Sequence, residues 1–476
     1  MKIFIKIFKD DKNNHKNNHK NNYKNNYKNN HNNYKNLKEQ KEEEPNCSKL
    51  DPIYIFSQRL LNNPTIICKN GESNHICYQN TNGYYNDIFF YKNGVICKME
   101  NIILDPSKSR QTHYIYNGPV DNSFQGRPLL SNGFFNMKCD KINYINYYNM
   151  YSSYFGGWNY HYENNEKEEE LSPGKTVFFI SRNQDSPNLY HGTTDILNII
   201  SMMDLFGINV EKIQIVFLES MELKGDPFYE IYKNVFSKGG EPIFIKNLKK
   251  KYHISSAIHV PINWDSAAFI KENNISYCKY STKVYKIYNE LIDKYMNIPN
   301  FKDNFLSDNE TFFYPKSVID YHNSNKNFSK TITIQWRKIW PKGRKGQFRL
   351  MSNGKELAGK LASVVPKNIL IRLVNTASLP ISEQIALMKK TDYLVGIHGA
   401  GLSLGIFLPN TSIYHEILHQ EAWKVVKFMS AMSGHITYFD IIKGKSIQID
   451  GNENIILDEN DFAEKVIKHL KENNFY

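Results

Sequence analysis

Short apolar strand patterns alternate with helical patterns along the C-terminal half of this 476-residue chain, and this alternation restricts its fold most strongly. Runs typical of strands buried on both faces occur at residues 330–335, 368–373, 392–397 and 412–418. Apolar residues at helical spacing fill the intervals, at residues 353–364, 382–391 and 402–407. This succession predicts a parallel sheet with helices on both faces.

A second, weaker alternation of the same kind lies upstream. Strand patterns surround a helical pattern at 194–206, and they occupy residues 175–180, 212–217 and 242–245. Residues 271–327 are helical and then polar and irregular, as in a connection between domains, and 461–471 predict a terminal amphipathic helix. The predicted fold class is therefore α/β, with two Rossmann-like doubly wound units and a cleft between them. We expect a low-complexity tail at residues 1–46, an N-terminal Rossmann-like domain with irregular insertions at 47–325, and a C-terminal one at 326–476.

The positive charge is concentrated at the N-terminus. The first 50 residues contain 12 lysines and six acidic residues, which is half of the formal net charge of +12. Between residues 12 and 28 they repeat Lys-Asn-Asn followed by His or Tyr, with no apolar face to bury, and we expect residues 9–46 to be disordered. Binding of a metal or a polyanion by the repeat stays open as a less favoured alternative. A charge so localised is weak support for a nucleic-acid-binding protein.

Two features bear on the compartment. Residues 1–8 are largely apolar, but a spanning helix needs about 20 apolar residues, so they predict at most a weak membrane tether. The six cysteines include no C-x-x-C pair, which argues against zinc-ribbon and thioredoxin-like sites. Their even number leaves disulfides, and with them an oxidising compartment, as an open expectation.

The strongest local motif is a turn of small residues that follows the strand pattern at 392–397. It reads Gly396-Ile-His-Gly-Ala-Gly-Leu402, and it leads into a helical pattern. Small residues let the backbone approach a ligand closely, and the first N–H groups of a helix attract an anion, as at diphosphate sites of α/β proteins. Such a turn alone is more often tight packing than a phosphate site.

Basic residues nearby favour the phosphate interpretation. Arg337 follows the strand at 330–335, at the carboxyl end where α/β sheets bind ligands, and Arg349 and Asn353 precede the next helix. Two arginines beside the glycine turn can neutralise a diphosphate leaving group, although residues 337–349 also resemble a solvated basic loop. Glu416, at the end of the last strand, is a candidate acceptor of hydrogen bonds from ribose hydroxyls, or else a surface ion-pair partner.

The upstream unit carries a candidate general base. If the segment from Asn188 and Tyr190 onward is already helical, His191 and Asp195 lie four residues apart on one face. An imidazole and a carboxylate at the lip of a cleft are suitable for activating an alcohol. The alternative is that Asp195 caps the following helix.

In this order, the motifs resemble glycosyltransferase family 61 over roughly residues 175–420. The matching elements are Arg337, Arg349-x-x-x-Asn353, Glu356-Leu357, Glu383-Gln384, Asp392-Tyr393, Gly396-Ile-His-Gly-Ala-Gly-Leu402, Phe407-Leu-Pro409 and Glu416-Ile417. Upstream, Asn188-x-Tyr190-His191-x-x-x-Asp195 is similar to a motif of the members that transfer O-linked N-acetylglucosamine to EGF domains.

The resemblance implies a GT-B fold and inverting transfer from a UDP-sugar, usually UDP-N-acetylglucosamine or UDP-xylose. The acceptor would be a hydroxyl of a glycan or glycoprotein in the ER or Golgi lumen. The residues expected to hold the nucleotide sugar are Arg337, Arg349, Asn353, His398, Gly399, Ala400, Gly401, Leu402 and Glu416. Asp195 or His191 would be catalytic, with Asn188 and Tyr190 on the acceptor side. No D-x-D sequence occurs, so we expect neither metal ligands nor a cofactor at this site and metal-independent transfer.

Three other functions stay open at this stage. The first is a catalytically inactive GT-B-like protein that binds glycans, and the second is a basic nucleic-acid-binding protein. The third is a nucleotide-sugar hydrolase or epimerase on a similar fold.

Overall fold

The structure is a computed structural model, and it describes eighteen stretches of the chain. They are residue 47 and residues 51–61, 65–69, 71–78, 96–111, 128–142, 158–162, 168–181, 188–218, 226–238, 240–260, 278, 280–305, 310–324, 326–338, 349–418, 425–449 and 452–476. All of them belong to the compact unit Asn46–Tyr476. The tail predicted to be disordered, residues 1–46, lies outside the described residues.

Strands are numbered in chain order over the described residues. They are β1 (Thr65–Lys69), β2 (Asn74–Tyr78), β3 (Ile96–Leu104), β4 (Ser109–Gln111), β5 (Pro128–Leu130), β6 (Phe135–Asn136), β7 (Lys141–Ile142), β8 (Trp158–Asn159), β9 (Glu169–Glu170), β10 (Thr176–Ile180), β11 (Ile213–Phe217), β12 (Ile243–Phe244), β13 (Tyr252–His259), β14 (Phe312–Phe313), β15 (Lys330–Gln335), β16 (Leu350–Met351), β17 (Ile369–Val374), β18 (Tyr393–Ile397), β19 (Ile413–Leu418), β20 (Ile436–Ile441), β21 (Gly444–Ile449) and β22 (Asn452–Leu457).

Helices are numbered in the same way over the described residues. They are α1 (Pro52–Leu61), α2 (Leu189–Leu205), α3 (Tyr229–Ile231), α4 (Lys283–Tyr295), α5 (Lys316–Asn323), α6 (Gly354–Val364), α7 (Ile381–Met388), α8 (Val425–Met432) and α9 (Glu459–Glu472). Among these, none has the length and apolar character needed to cross a membrane. A π-helical turn, Tyr232–Phe236, follows α3, and an eight-residue 3₁₀ segment, Ala400–Phe407, follows β18.

The upstream sheet is parallel in one half and antiparallel in the other. Strands β12, β11, β10 and β13 pair in parallel, which confirms the predicted β-α-β succession. Beyond β13 the sheet continues through β3, β2, β1 and β7, each antiparallel to its neighbour. The sequence did not predict these strands, because the pairings of β3 with β13 and of β1 with β7 join segments far apart in the chain, which local periodicity does not encode.

The downstream sheet has the order β14-β17-β15-β18-β19-β20. Its strands β17, β15, β18, β19 and β20 are all parallel, and β14 is an antiparallel edge strand. The four strands predicted here are confirmed, and every end agrees with the prediction to within one residue. Strand β20 was not predicted, since its side chains are only partly buried and the apolar signal is weak. The predicted α/β class with parallel strands in two sheets is thus confirmed, whereas the domain boundaries stay predictions.

One apolar core joins helix α2 to the 3₁₀ segment Ala400–Phe407. It includes Ile196 and Leu197 from the helix and Leu402, Leu404 and Phe407 from the segment. Helix α4 supports the same segment, because the side-chain amide of Asn289 donates to the carbonyl of Ile406 at 3.1 Å. Helix α2, which carries the candidate base, therefore packs directly against the 3₁₀ segment Ala400–Phe407, which contains the end of the candidate phosphate motif.

The six cysteines pair as Cys47–Cys278, Cys68–Cys139 and Cys77–Cys97. The last pair joins opposed residues of β2 and β3. Close to Cys47, Asp51 accepts the N–H of Ile53 at 2.7 Å and that of Val284 at 3.0 Å, so one carboxylate caps the first turns of α1 and α4. The disulfides expected as an open alternative from the even number of cysteines are thus present.

A buried arginine holds the downstream sheet to the chain that precedes it. Arg372, fully buried on β17, donates to both carboxylate oxygens of Asp303 at 3.1 Å. Its remaining nitrogens donate to Thr333 Oγ1, Leu387 O, Lys390 O and Thr391 Oγ1 at 2.8–3.1 Å. Every nitrogen of the guanidinium is thus satisfied inside the core.

We expect Arg372→Met to lower the free energy of unfolding by about 3–5 kcal/mol, because it removes one partner of a buried ion pair and leaves several acceptors unsatisfied. Urea unfolding measures the loss. The matched control is Lys389→Met, which breaks a surface ion pair with Asp293 and should cost at most about 1 kcal/mol. Equal losses in the two variants would contradict this account of the buried network.

Candidate active site

Three neighbouring strands end at the same edge of the downstream sheet. In the parallel register Gly396 of β18 lies opposite Gln335 of β15 on one side and Glu416 of β19 on the other. Arg337 and His398 come two residues after Gln335 and Gly396. This register brings Arg337, His398 and Glu416 to the carboxyl edge of one sheet, where the sequence analysis expected them.

Arg337 rests against the glycine turn. Its Nη1 donates to the carbonyl oxygen of His398 at 3.2 Å. A Cβ built at Gly399 would lie only 1.5 Å from that Nη1, so the guanidinium occupies space that any side chain at position 399 would need. Burial, together with the neighbouring charge of Arg349, lowers the pKa of Arg337 to about 10, while Glu453 opposes the shift.

Arg349 supplies a second guanidinium close to the first. Its backbone has a left-handed conformation, with φ 61°, and its N–H donates to the carboxylate of Glu453 at 3.2 Å. Its Nε is buried and has no hydrogen-bond partner among the described residues. Burial lowers the pKa of Arg349, and the charges of Glu453 and Glu416 oppose that effect. Two crowded guanidinium groups whose pKa values are depressed make a site that an anion would stabilise.

Glu416 is fully buried rather than exposed at the sheet edge. Its Oε1 is hydrogen-bonded to Nδ1 of His398, and its Oε2 finds no partner among the described residues. Burial raises the pKa values of Tyr190 and Tyr414, and the negative charge of Glu416 adds to both shifts. The contact with ribose that the sequence suggested for Glu416 stays a prediction, and a surface ion pair is wrong because the side chain has no exposed area.

Helix α2 begins five residues earlier than predicted. Asn188 is its N-cap, and the side-chain oxygen accepts the N–H of Tyr190 at 3.0 Å. His191 and Asp195 are therefore both inside the helix, one turn apart, so the alternative that Asp195 caps the helix is wrong. His191 is half-buried and Asp195 is 2% exposed. The influence of Glu416 on Tyr190 indicates that the start of α2 lies close to the sheet edge.

Two predicted nucleotide ligands have other partners here. The side-chain amide of Asn353 donates to the carbonyl of Leu457 at 2.8 Å and its oxygen accepts the N–H of Leu457 at 3.1 Å, which ties the start of α6 to β22. Leu402 is fully buried in the core beside α2. Only the backbone of Leu402 is therefore suited to a ligand, and a nucleotide role for Asn353 stays a prediction.

Sequence reasoning missed Gln335, a residue that contacts the glycine turn from the neighbouring strand. Gln335, the last residue of β15, donates from Nε2 to Thr376 Oγ1 at 2.9 Å. A Cβ at Gly401 would lie 2.3 Å from the same Nε2, so this buried amide forms the floor beneath the turn. An amide as the final residue of a strand, two positions before Arg337, is the signal that marks it in the sequence.

The match to a known family covers both the start of helix α2 and the glycine turn. Residues 189–414 match the family Glycosyltransferase 61. Over these residues, just under half of the chain, the sequence is similar to that family. The matched region begins with helix α2 and ends inside β19, so it holds His191 and Asp195 as well as the glycine turn, while Glu416 lies just beyond it.

The chain was also found to be similar to two individual proteins. An EGF domain-specific O-linked N-acetylglucosamine transferase of Drosophila melanogaster is 31% identical over 91 residues, which are 19% of this chain and 17% of that relative. The alignment therefore spans about a sixth of the relative's own length. The crystal structure of a glycosyl transferase family 9 protein from Veillonella parvula is 8% identical, with a TM-score of 0.25 over 64% of this chain and 98% of that one.

Proposed function

We propose that the protein is an inverting glycosyltransferase that moves a sugar from a UDP-sugar to a hydroxyl of a glycan or glycoprotein. The observation that carries the proposal is the pair of crowded guanidinium groups, Arg337 and Arg349, at the carboxyl edge of a parallel sheet beside a glycine turn. Ligands of open α/β sheets bind at this edge. The family 61 match supports the reaction class.

The diphosphate of the donor would lie between the two arginines and the glycine turn. Arginine binds phosphate through paired N–H groups, and the first N–H groups of the segment that begins at Ala400 add further positive potential. His398 is held by Glu416 through Nδ1, which leaves the opposite edge of the ring to face the ligand. We propose that transfer needs no metal ion, since these groups already compensate the negative charge of the leaving diphosphate.

The acceptor hydroxyl would approach the start of helix α2. His191 or Asp195 removes its proton as the oxygen forms a bond to the anomeric carbon, and the bond from that carbon to the diphosphate breaks on the opposite face. Attack from the opposite face inverts the configuration of the anomeric carbon. Asn188 fixes where α2 begins, and the negative charge of Glu416 helps to raise the pKa of Tyr190 in its first turn.

N-acetylglucosamine is the donor sugar that the comparison with the Drosophila enzyme supports, and xylose is the alternative from the family resemblance. Three disulfides support the ER or Golgi lumen as the place of action, because such bonds persist in oxidising compartments.

A thermal-shift panel tests donor binding. We expect UDP-N-acetylglucosamine or UDP-xylose, and UDP itself, to raise the melting temperature, because a ligand that binds only the native state stabilises it in proportion to the logarithm of its concentration over Kd. Uridine should give no shift, since it lacks the diphosphate. Added Mg²⁺ or Mn²⁺ should leave the shifts unchanged. Shifts that appear only with one of these ions would contradict metal-independent binding, and no shift with any UDP compound would contradict the donor proposal.

Substitutions in α2 test the base. Replacing the base, through His191→Gln or Asp195→Asn, should lower kcat by about 10²–10⁴-fold without changing the thermal shift by UDP, because a general base acts in the transition state and not on donor binding. The matched control on the same helix is Asp204→Asn, which breaks only a surface ion pair with Lys283 and should leave kcat unchanged. Wild-type rates in both base variants would remove these residues from the mechanism. A wild-type chain that binds glycans but neither hydrolyses nor transfers sugar would indicate the inactive alternative.

A further inference from the structure

A cluster of two histidines and an aspartate lies on the other face of strand β19. His415 is next to Glu416, and alternate residues of a strand point to opposite faces, so it faces away from the arginine site. It meets Asp440 from β20 and His469 from α9. Their three ligand atoms lie within 4.8 Å of one another, and both imidazoles are buried.

The two rings converge on one carboxylate oxygen. Nε2 of His469 contacts Oδ2 of Asp440, and Nε2 of His415 lies 3.0 Å from the same oxygen. This His415 nitrogen is fully buried and, despite the short contact, makes no hydrogen bond of regular geometry with any described residue. The other oxygen, Oδ1, is 3.5 Å from Nζ of Lys465, so Oδ2 alone faces both rings.

The remaining ring nitrogens are held from behind. Nδ1 of His415 is hydrogen-bonded to the hydroxyl of Tyr393 at 2.8 Å, and Nδ1 of His469 lies 3.3 Å from Oε2 of Glu472. The ring of Tyr438 also stacks on that of His469, with centroids 3.5 Å apart. Histidines that bind metals usually have their second nitrogen bonded to a carboxylate or another oxygen, which fixes the ring and directs the lone pair of the first nitrogen.

Both ring nitrogens of His469 face carboxylate oxygens, Nε2 that of Asp440 and Nδ1 that of Glu472. With a metal ion at Nε2, the single proton sits on Nδ1 and donates to Glu472. The donor set of two imidazoles and one carboxylate is that of zinc sites, with bonds of about 2.0–2.2 Å.

We propose that His415, Asp440 and His469 bind one Zn²⁺-class ion, which fastens helix α9 to the sheet behind the proposed donor site. The residues come from three separate segments with no motif spacing, so no local pattern in the sequence marks them. The ion belongs to the opposite face of β19 from Glu416, so it takes no part in the proposed transfer.

Metal analysis of the full-length chain, produced without a polyhistidine tag, tests the site. After loading with Zn²⁺ and exhaustive dialysis, the wild type should retain about one ion per chain, and His469→Gln should retain less than about a tenth of that. The control is His322→Gln. His322 belongs to helix α5 and stacks on Phe305, and this variant should retain zinc as the wild type does. Equal zinc content in the wild type and His469→Gln would overturn the proposal.

Two further measurements separate the cluster from the histidine-containing tail and from a folding defect. Replacing His15, His19 and His31 with asparagine should leave the retained ion in place, and its loss would assign the ion to the tail and overturn the proposal. Co²⁺ bound to the wild type should show the intense visible absorption of a tetrahedral site. Asp440→Asn, which keeps the shape of the side chain, should lose that absorption while its circular dichroism stays unchanged. Absorption like that of Co²⁺ in buffer, in the wild type, would also overturn the proposal.

Discussion

The parallel register of β15, β18 and β19 is the constraint on which the proposed site depends. It ends three strands at one edge, and it thereby brings together Gln335 and Glu416, which are 81 positions apart in the chain. The close approach of Arg337 to the turn is possible only because position 399 has no side chain. A partly buried cation, a glycine and a strand end thus form one unit, and the neighbouring Arg349 adds a second positive charge, which a bound anion would stabilise.

The second constraint is the apolar contact between helix α2 and the segment Ala400–Phe407. Leu402 follows the glycine turn and is buried against the helix that carries His191 and Asp195. Burial of apolar side chains at this contact fixes the candidate base relative to the proposed phosphate site. The buried pair of Glu416 and His398 lies beside the same helix, close enough for Glu416 to raise the pKa of Tyr190.

Local patterns in the sequence were sufficient for the downstream sheet, because strands buried on both faces are continuously apolar and β17 and β18 match their predicted ranges closely. They were insufficient where the structure depends on distant pairing. The antiparallel strands β1 to β3 hold two disulfides and alternate only partly, and no local rule joins β3 to β13. The burial of Glu416 and the contact between His415 and His469 likewise form only when β19, β20 and α9 pack together in the folded chain. Helix α2 shows a smaller failure, because an N-cap at Asn188 outweighed the later onset of apolar spacing.

The central claim is that Gly399 serves the site by leaving room for Arg337, which in turn binds the donor diphosphate. A double-mutant cycle on UDP affinity, measured by titration calorimetry, tests it most directly. Arg337→Met should weaken binding by about 10–100-fold, as expected for lost hydrogen bonds to a charged group. Gly399→Ala should weaken it by displacing the same guanidinium, and the double variant should be no weaker than Arg337→Met alone, within about twofold. Single variants that bind UDP as the wild type does, or losses that multiply in the double variant, would contradict the account.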